Sequence, residues 1–479
     1  MAGAVALRLK PAERAGVAVE PSPTRWRRWT AHAAAPFVVA VVVAVGVAAG
    51  APMRASYSAR TTADEPHYLL SALSLWEDGN LDVSDERAAV RYRAFHAATL
   101  PVQAEIQPDG SQIEPHDPLL PVLLAVPVGL GGWLGAKLFM AVVAGALAGL
   151  TMDVAMRRFG VSTPLAAIAA LVAGLSPPLA IYGTQIYPEL PGALVALAGF
   201  WWATGRLSKG AVWAAGLAVV ALPWLSVKYT PVAVVLAAGL LWRLGRNGRT
   251  PWAVGLLGGL GAAAITFLIG HEWIYGGPTA YASGSHFVAG DFSVMGDRPD
   301  YIGRTQRVVG LLVDRSFGLA VWQPAAVAIV PALAVMLRRR PRHGALLAAV
   351  VGAGWLTATY LALTMQGWWW PGRQTVVVVP LAVVAIAWWA ERLGTVGRRV
   401  LLAAGLVGVV AYLFLLGGVL GGHHTLIVDF DRTLDPFVRV ARTVLPDGSV
   451  QHAATWWGLA AWAGLLGVVA LWAVRRDAA

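Results

Sequence analysis

"TTADEPHYLLSALSLWEDGNLD", Thr61 to Asp82, decides how the chain is read. It follows an almost unbroken apolar run from Ala35 to Met53. Such a run is long enough to cross a bilayer, since about 20 apolar residues span roughly 30 Å of hydrocarbon. Two adjacent carboxylates, Asp64 and Glu65, and then His67 therefore stand close to a membrane surface. An acidic side chain near lipid costs free energy unless it is wetted, paired or used. The rest of the chain has to say which of these holds.

Apolar windows of span length recur along nearly all of the 479 residues. Hydrophobic residues make up 57% of the chain and charged ones 13%, against about 25% charged in a soluble domain. The fold class that follows is an all-α polytopic membrane protein. The absence of cysteine excludes disulfides, thiolate metal sites and thiol nucleophiles. Residues 1–34 carry Arg8, Lys10, Arg14, Arg25, Arg27 and Arg28 ahead of a span-length apolar core. They read as a cytosolic basic tail on a retained signal anchor.

About twelve spans fit between residues 35 and 474: roughly 35–53, 134–156, 164–185, 188–205, 210–227, 229–243, 251–273, 317–337, 344–364, 374–391, 400–421 and 456–474. The apolar segment 118–132 is short for a crossing and is expected to lie in the interface or dip partway in. Charge supports this count. Arg157-Arg158, Arg206 with Lys209, the Arg243/Arg246/Arg249 group, Arg338 to Arg340, Arg398-Arg399 and Arg475-Arg476 all fall on one side of the alternation. Excess Lys and Arg marks the cytosolic side. Both termini, including 475–479, are therefore expected in the cytosol of a multi-pass plasma-membrane protein. Loops 54–117, 275–314 and 422–455 then face outward, the first with interfacial helices. The net charge of +11 faces the anionic leaflet and needs no nucleic acid.

With that topology the unusual polar residues near span ends gather on the outer side. Asp64 and Glu65 suit a general base or a divalent-cation ligand in a cleft at the membrane surface; an acid pair at a helix N-terminus is the plainer alternative. His116 and Asp117 precede the short apolar segment in "EPHDPLLPVLL", where His116 would bind an anionic headgroup and Asp117 would orient it or a metal. Two prolines bracket Glu189 in "QIYPELPGAL", beside Tyr187. Lys228, Arg315 and Arg373 come from three separate connections and would together clamp a phosphate, for which Arg is suited through bidentate contacts. Trp368 to Trp370 read as part of the interfacial aromatic belt.

These motifs, in this order, resemble the GT-C superfamily of membrane glycosyltransferases, and within it the branch of protein O-mannosyltransferases and lipid A aminoarabinose transferases. The likeness runs over about residues 35 to 230. It rests on Asp64-Glu65-Pro66-His67-Tyr68, on His116-Asp117-Pro118-Leu119-Leu120, on Arg157 to Gly160 and on "SPPLAIYGTQIYPELP". "DRSFG" and "WWWPGR" are similar to motifs of actinobacterial members. His116 stands where the family has another base, and Glu189 where it has Asp.

The resemblance implies a GT-C-like bundle and a sugar donor carried on polyprenyl phosphate. An outward site points the same way, because nucleotide sugars are cytosolic and cannot cross lipid. Asp64 is then expected to deprotonate a hydroxyl that attacks the anomeric carbon in one inverting displacement, with Glu65, Asp117 or Glu189 positioning the acceptor. The acceptor would be a cell-envelope polysaccharide, glycolipid or protein. A divalent cation, Mg or Mn, held by Asp64 and Glu189 is the open alternative. Mannose, arabinose and other pentoses all remain as the sugar. The rival function is a transporter or flippase for a lipid-linked sugar or another anion, which predicts inverted repeats and ionisable groups near the midplane.

Overall fold

The computed structural model describes residues 23–57, 59–280, 300–362, 364–448 and 453–477. Most of the basic tail, the middle of loop 275–314, residues 449–452 of the last loop and the final two residues lie outside the described residues.

The chain is a multi-pass all-α bundle. Helix α1 (Pro23–Ala48) enters first, and the loop after it carries α2 (Glu65–Glu77) and the short α3 (Ser84–Ala88). Then come α4 (Leu119–Phe159), α5 (Thr163–Gly174), α6 (Leu179–Tyr182), α7 (Glu189–Thr204), α8 (Lys209–Leu225), α9 (Thr230–Arg246) and α10 (Thr250–Tyr275). The second half has α11 (Tyr301–Arg304), α12 (Arg307–Val313), α13 (Leu319–Trp322), α14 (Ile329–Arg339) and α15 (Gly344–Leu356). It closes with α16 (Val379–Ala390), α17 (Thr395–Leu420), α18 (Pro436–Val444) and α19 (Ala453–Arg476).

Among the described residues, six helices are long and apolar enough to cross a membrane, and four further apolar helices are shorter. The twelve expected spans thus do not emerge as twelve full-length helices. Proline explains the breaks, because it lacks an N–H and cannot continue a helical ladder. The expected span 164–185 stops at Gly174, ahead of Pro177 and Pro178, and 317–337 is divided around Pro324. The short segment 118–132 runs straight into the next span as one long element, α4, and the two parts meet at Gly132, whose φ of 57° and ψ of −150° are non-helical. Glycine alone takes that conformation without strain.

Helix α4 is the hub, packing on α1, α2, α5, α7 and α16. Its face toward α1 is made of glycine. A Cβ on Gly149 would lie 2.7 Å from the carbonyl oxygen of Pro36, and Gly145 meets Ala40 in the same way. Small residues let helix backbones approach closely where lipid supplies no hydrophobic drive between helices. Gly149→Val is therefore expected to cost about 1–3 kcal/mol through overpacking, read as a lowered thermal midpoint of the purified protein; an unchanged midpoint would mean that α1 does not depend on this contact.

Candidate active site

Four charged side chains from four stretches of the chain meet at the end of the bundle that carries the first loop. Arg373 is at the centre. Its Nη2 donates to Asp64 Oδ2 at 2.9 Å and its Nε to Glu189 Oε1 at 2.8 Å. The guanidinium lies 4.1 Å from the ring centroid of Tyr187 and 4.7 Å from that of Trp369, so its weakly hydrated faces rest on aromatic π-systems. Lys228 Nζ donates to the same Glu189 oxygen at 2.6 Å and to Gln374 Oε1 at 3.1 Å, leaving a third N–H for a substrate. Two acids and two bases balance, which is how charges withstand burial.

Local sequence sets each position. Pro188 ends an irregular stretch and starts α7, with Glu189 in its first turn. Asp64 is the N-cap of α2, yet its side chain makes no capping bond; it turns instead to Arg373. The pair does stand at a helix N-terminus, with Asp64 as N-cap and Glu65 in the first turn, but the Asp64 side chain is bonded elsewhere. Ala63, just before it, has φ of 45°, a left-handed conformation that costs a non-glycine residue energy. Glu65 holds that turn in place. Its carboxylate accepts from Thr62 N at 3.0 Å, Thr62 Oγ1 at 3.3 Å and Ile186 N at 2.9 Å. Glu65 is fully buried, so it reaches no open space and braces the turn that carries Asp64.

Exposure separates the roles further. The Asp64 side chain is 23% exposed and Lys228 19%, whereas Glu189 is 1% exposed. The accessible edge of the cluster is thus Asp64 and Lys228. His116 Nε2 is 4.0 Å from Asp64 Oδ1, and its ring packs on Tyr68. Burial alone would raise the pKa of Asp64, but the charge of Arg373 and then the nearby His116 outweigh it and hold the carboxyl below its usual range. Burial pushes Glu65 up, with the charge of Lys137 opposing.

Other expected site residues form a supporting layer. Asp117 is buried, accepts from Val227 N at 3.0 Å and contacts His271 Nε2 at 3.1 Å. It ties the first loop to α10 and to the turn bearing Lys228. His67 Nδ1 lies 3.0 Å from Glu114 and 3.1 Å from Arg87 Nη2. Burial would raise Glu114, but His67 and then Arg87 outweigh it and bring it from 4.5 to about 2. A depressed carboxyl pKa stabilises the fold above its unfolded value and loses that effect as pH falls toward the folded one. Amide protection of the first loop is therefore expected to drop by about tenfold or more as pH falls from 4.5 toward 2. Exchange rates independent of pH in that window, after correction for intrinsic chemistry, would refute this.

Arg315 stands apart from the cluster: it pairs with Asp447 and is 44% exposed. Of the three cations expected to converge, only Arg373 and Lys228 meet, on Glu189. The tryptophan run also departs from a shared belt role. Trp368 is exposed, Trp369 stacks on Arg373, and Trp370 is fully buried. Trp369, Gln374, Glu114 and His271 were not singled out by the sequence; His271 was detectable as an ionisable residue inside an apolar helix. Arg373 fills the space between Asp64 and Glu189, the pair suited by sequence to a cation, so these two residues as arranged do not fit a bound metal.

An apolar cavity of about 110 Å³ lies next to the turn that carries Arg373. Its walls come from α5, α16, α17 and the α13 region, and it runs between Pro178 and Leu319 at one end and Arg398 at the other. Gly372, the residue before Arg373, packs directly on Leu319 and Pro178. Within the wall Gln323 donates to Ser176 Oγ, also a lining residue, at 2.7 Å and to Gly405 O at 3.2 Å.

No family model matches the chain, and no curated protein matches it. Among solved structures, ArnT from Cupriavidus metallidurans bound to undecaprenyl phosphate aligns with a TM-score of 0.48 and 16% identity, over 91% of this chain and 77% of that one. The apo state of the same protein aligns with a TM-score of 0.47 and 14% identity, over 92% and 78%. Nothing about chemistry follows from likeness of that depth.

Proposed function

We propose that the chain is a glycosyltransferase of GT-C type that moves a sugar from a polyprenyl-phosphate donor to a hydroxyl acceptor of the cell envelope, on the outer face of the membrane. The observation that carries this reading is the adjacency of an accessible carboxylate, two cations and an apolar cavity. Asp64 offers a base, Arg373 and Lys228 offer anion contacts, and the cavity that begins beside Gly372 suits an isoprenoid tail.

In the reaction, Asp64 takes the proton of the acceptor hydroxyl. The oxygen attacks the anomeric carbon, the bond from that carbon to the phosphate oxygen breaks with inversion, and polyprenyl phosphate leaves with the electron pair. Charge grows on the departing phosphate, where fixed cations stabilise a transition state more than a ground state. Lys228 has an N–H to give, and Arg373, its plane held rigid by two rings, would meet the phosphate through an in-plane N–H at its edge. Phosphate contact with Arg373 also weakens its hold on Asp64, which restores basicity at the moment a base is needed. No metal enters this scheme.

The test incubates purified protein with a panel of radiolabelled polyprenyl-phosphate sugars and cell-envelope acceptors. Label passing to an acceptor supports the proposal; label crossing a vesicle membrane without transfer would favour transport instead. The cavity gives a second readout. Ala382→Phe, which narrows it, is expected to raise the KM of a long-chain donor by about tenfold, the worth of roughly two buried methylenes, while sparing a donor with a two-isoprene tail. Equal effects on both donors would remove the tail from this cavity.

A further inference from the structure

A second cluster lies in the first loop, away from the acid–base site. Asp78, Asp85 and Glu86 each present a carboxylate oxygen, all within 4.8 Å of one another. Asp78 and Asp85 are exposed; Glu86 is 2% exposed, and neither of its oxygens has a hydrogen-bond partner among the described residues. A buried carboxylate without a partner is costly, and this one is aimed at two more negative groups.

Among the described residues no base forms an ion pair with these three acids. Arg91, the neighbouring base, makes two bonds to Glu77, at 2.8 and 2.7 Å. Asp78 is the C-cap of α2, and a negative charge at the negative end of a helix dipole has the wrong sign. Other polar side chains of the same loop are spent on its shape. Asn80 Oδ1 accepts from Ser74 Oγ and Asp82 N, and Asp82 Oδ1 accepts from Ser84 N and Gln112 N. The loop is thus held independently of Asp78, Asp85 and Glu86, which converge on one point.

We propose that Asp78, Asp85 and Glu86 bind a divalent calcium ion. Three carboxylate oxygens and no nitrogen or sulfur select a hard cation. Calcium accepts six to eight oxygens in irregular geometry, with water completing the set, whereas magnesium demands a near-ideal octahedron and gives up water reluctantly. The ion joins the C-terminal end of α2, whose N-cap is Asp64, to α3, whose Arg87 bonds Glu114. It therefore clamps the first loop and takes no part in sugar transfer.

Purified full-length protein, stripped with EDTA and placed in chelator-free detergent buffer, is titrated with CaCl₂ and separately with MgCl₂ by calorimetry. One calcium is expected to bind with Kd of about 10⁻⁴–10⁻³ M, to raise the thermal midpoint, and to slow amide exchange over residues 74–90. Asp85→Asn, at an exposed position that leaves the fold intact, is expected to weaken binding at least tenfold, and Glu86→Gln likewise. Absence of binding at several millimolar calcium, or equal binding by wild type and Asp85→Asn, overturns the site; tighter binding of magnesium overturns the choice of ion.

Discussion

Asp64→Asn will lower sugar transfer by roughly 10²–10⁴-fold, the usual worth of a positioned general base, and will leave the protein folded. The structural reason for the second half is that Arg373 keeps Glu189 and its two aromatic rings when Asp64 loses its charge. The reason for the first half needs more care, because Arg373 and His116 hold the Asp64 carboxyl below its ordinary range. A carboxylate so stabilised is a poor base in the resting protein. It becomes a better one only if something competes for Arg373, and the donor phosphate is the group that does. Base strength is then coupled to donor occupancy, which restrains Asp64 from acting on water when no sugar is present. The pH dependence follows with its sign. Asp64 is ionised above its depressed pKa, so kcat/KM, which reports the free protein, should show no acidic limb in the ordinary carboxylate range. The acidic limb of kcat, which reports the donor complex, should lie higher. Initial rates against pH decide this, and turnover by Asp64→Asn near the wild-type rate would remove Asp64 from the chemistry.

Much of the architecture could be read from the chain because bilayer crossing imposes a length and a composition on each segment. The prolines that interrupt spans were visible, but 164–185 and 317–337 were read as unbroken spans, and the structure divides both. Site residues divide differently. Asp64, His116, Glu189, Lys228 and Arg373 stood out because ionisable groups at span ends are rare, and the structure brings them together. Their pairing could not be read, since Asp64 and Arg373 are 309 residues apart and no local period links them. Arg315 carried the same signal but found Asp447 instead. Glu65 looked like the equal of Asp64, yet one residue of helical rotation turns it into the protein and leaves Asp64 at the opening. Trp369 was hidden within a run of three tryptophans whose separate environments depend on a tight turn through Gly372, at φ of 82°.

The pair Arg373 and Glu189 separates stability from catalysis. Arg373→Gln removes the guanidinium from two acids and is expected to cost about 3–5 kcal/mol, as breaking a buried pair does. Glu189→Gln leaves Lys228 and Arg373 with only Asp64 for charge and should be costly for the same reason. In the double variant Asp64 and Lys228 remain, one negative and one positive, so the loss should be smaller than the sum, with a coupling of about 0.5–3 kcal/mol. Chemical unfolding of the four proteins measures that cycle; simple additivity would mean that the ion pair is not the organising contact. Transfer should behave otherwise. If Arg373 only braced the fold, activity would return with stability in the double variant. If it also meets the leaving phosphate, the double variant will be nearly as stable as either single one, or more so, and still fail to turn over. Loss of kcat in a refolded, donor-binding double variant is therefore the outcome that distinguishes a catalytic cation from a structural one.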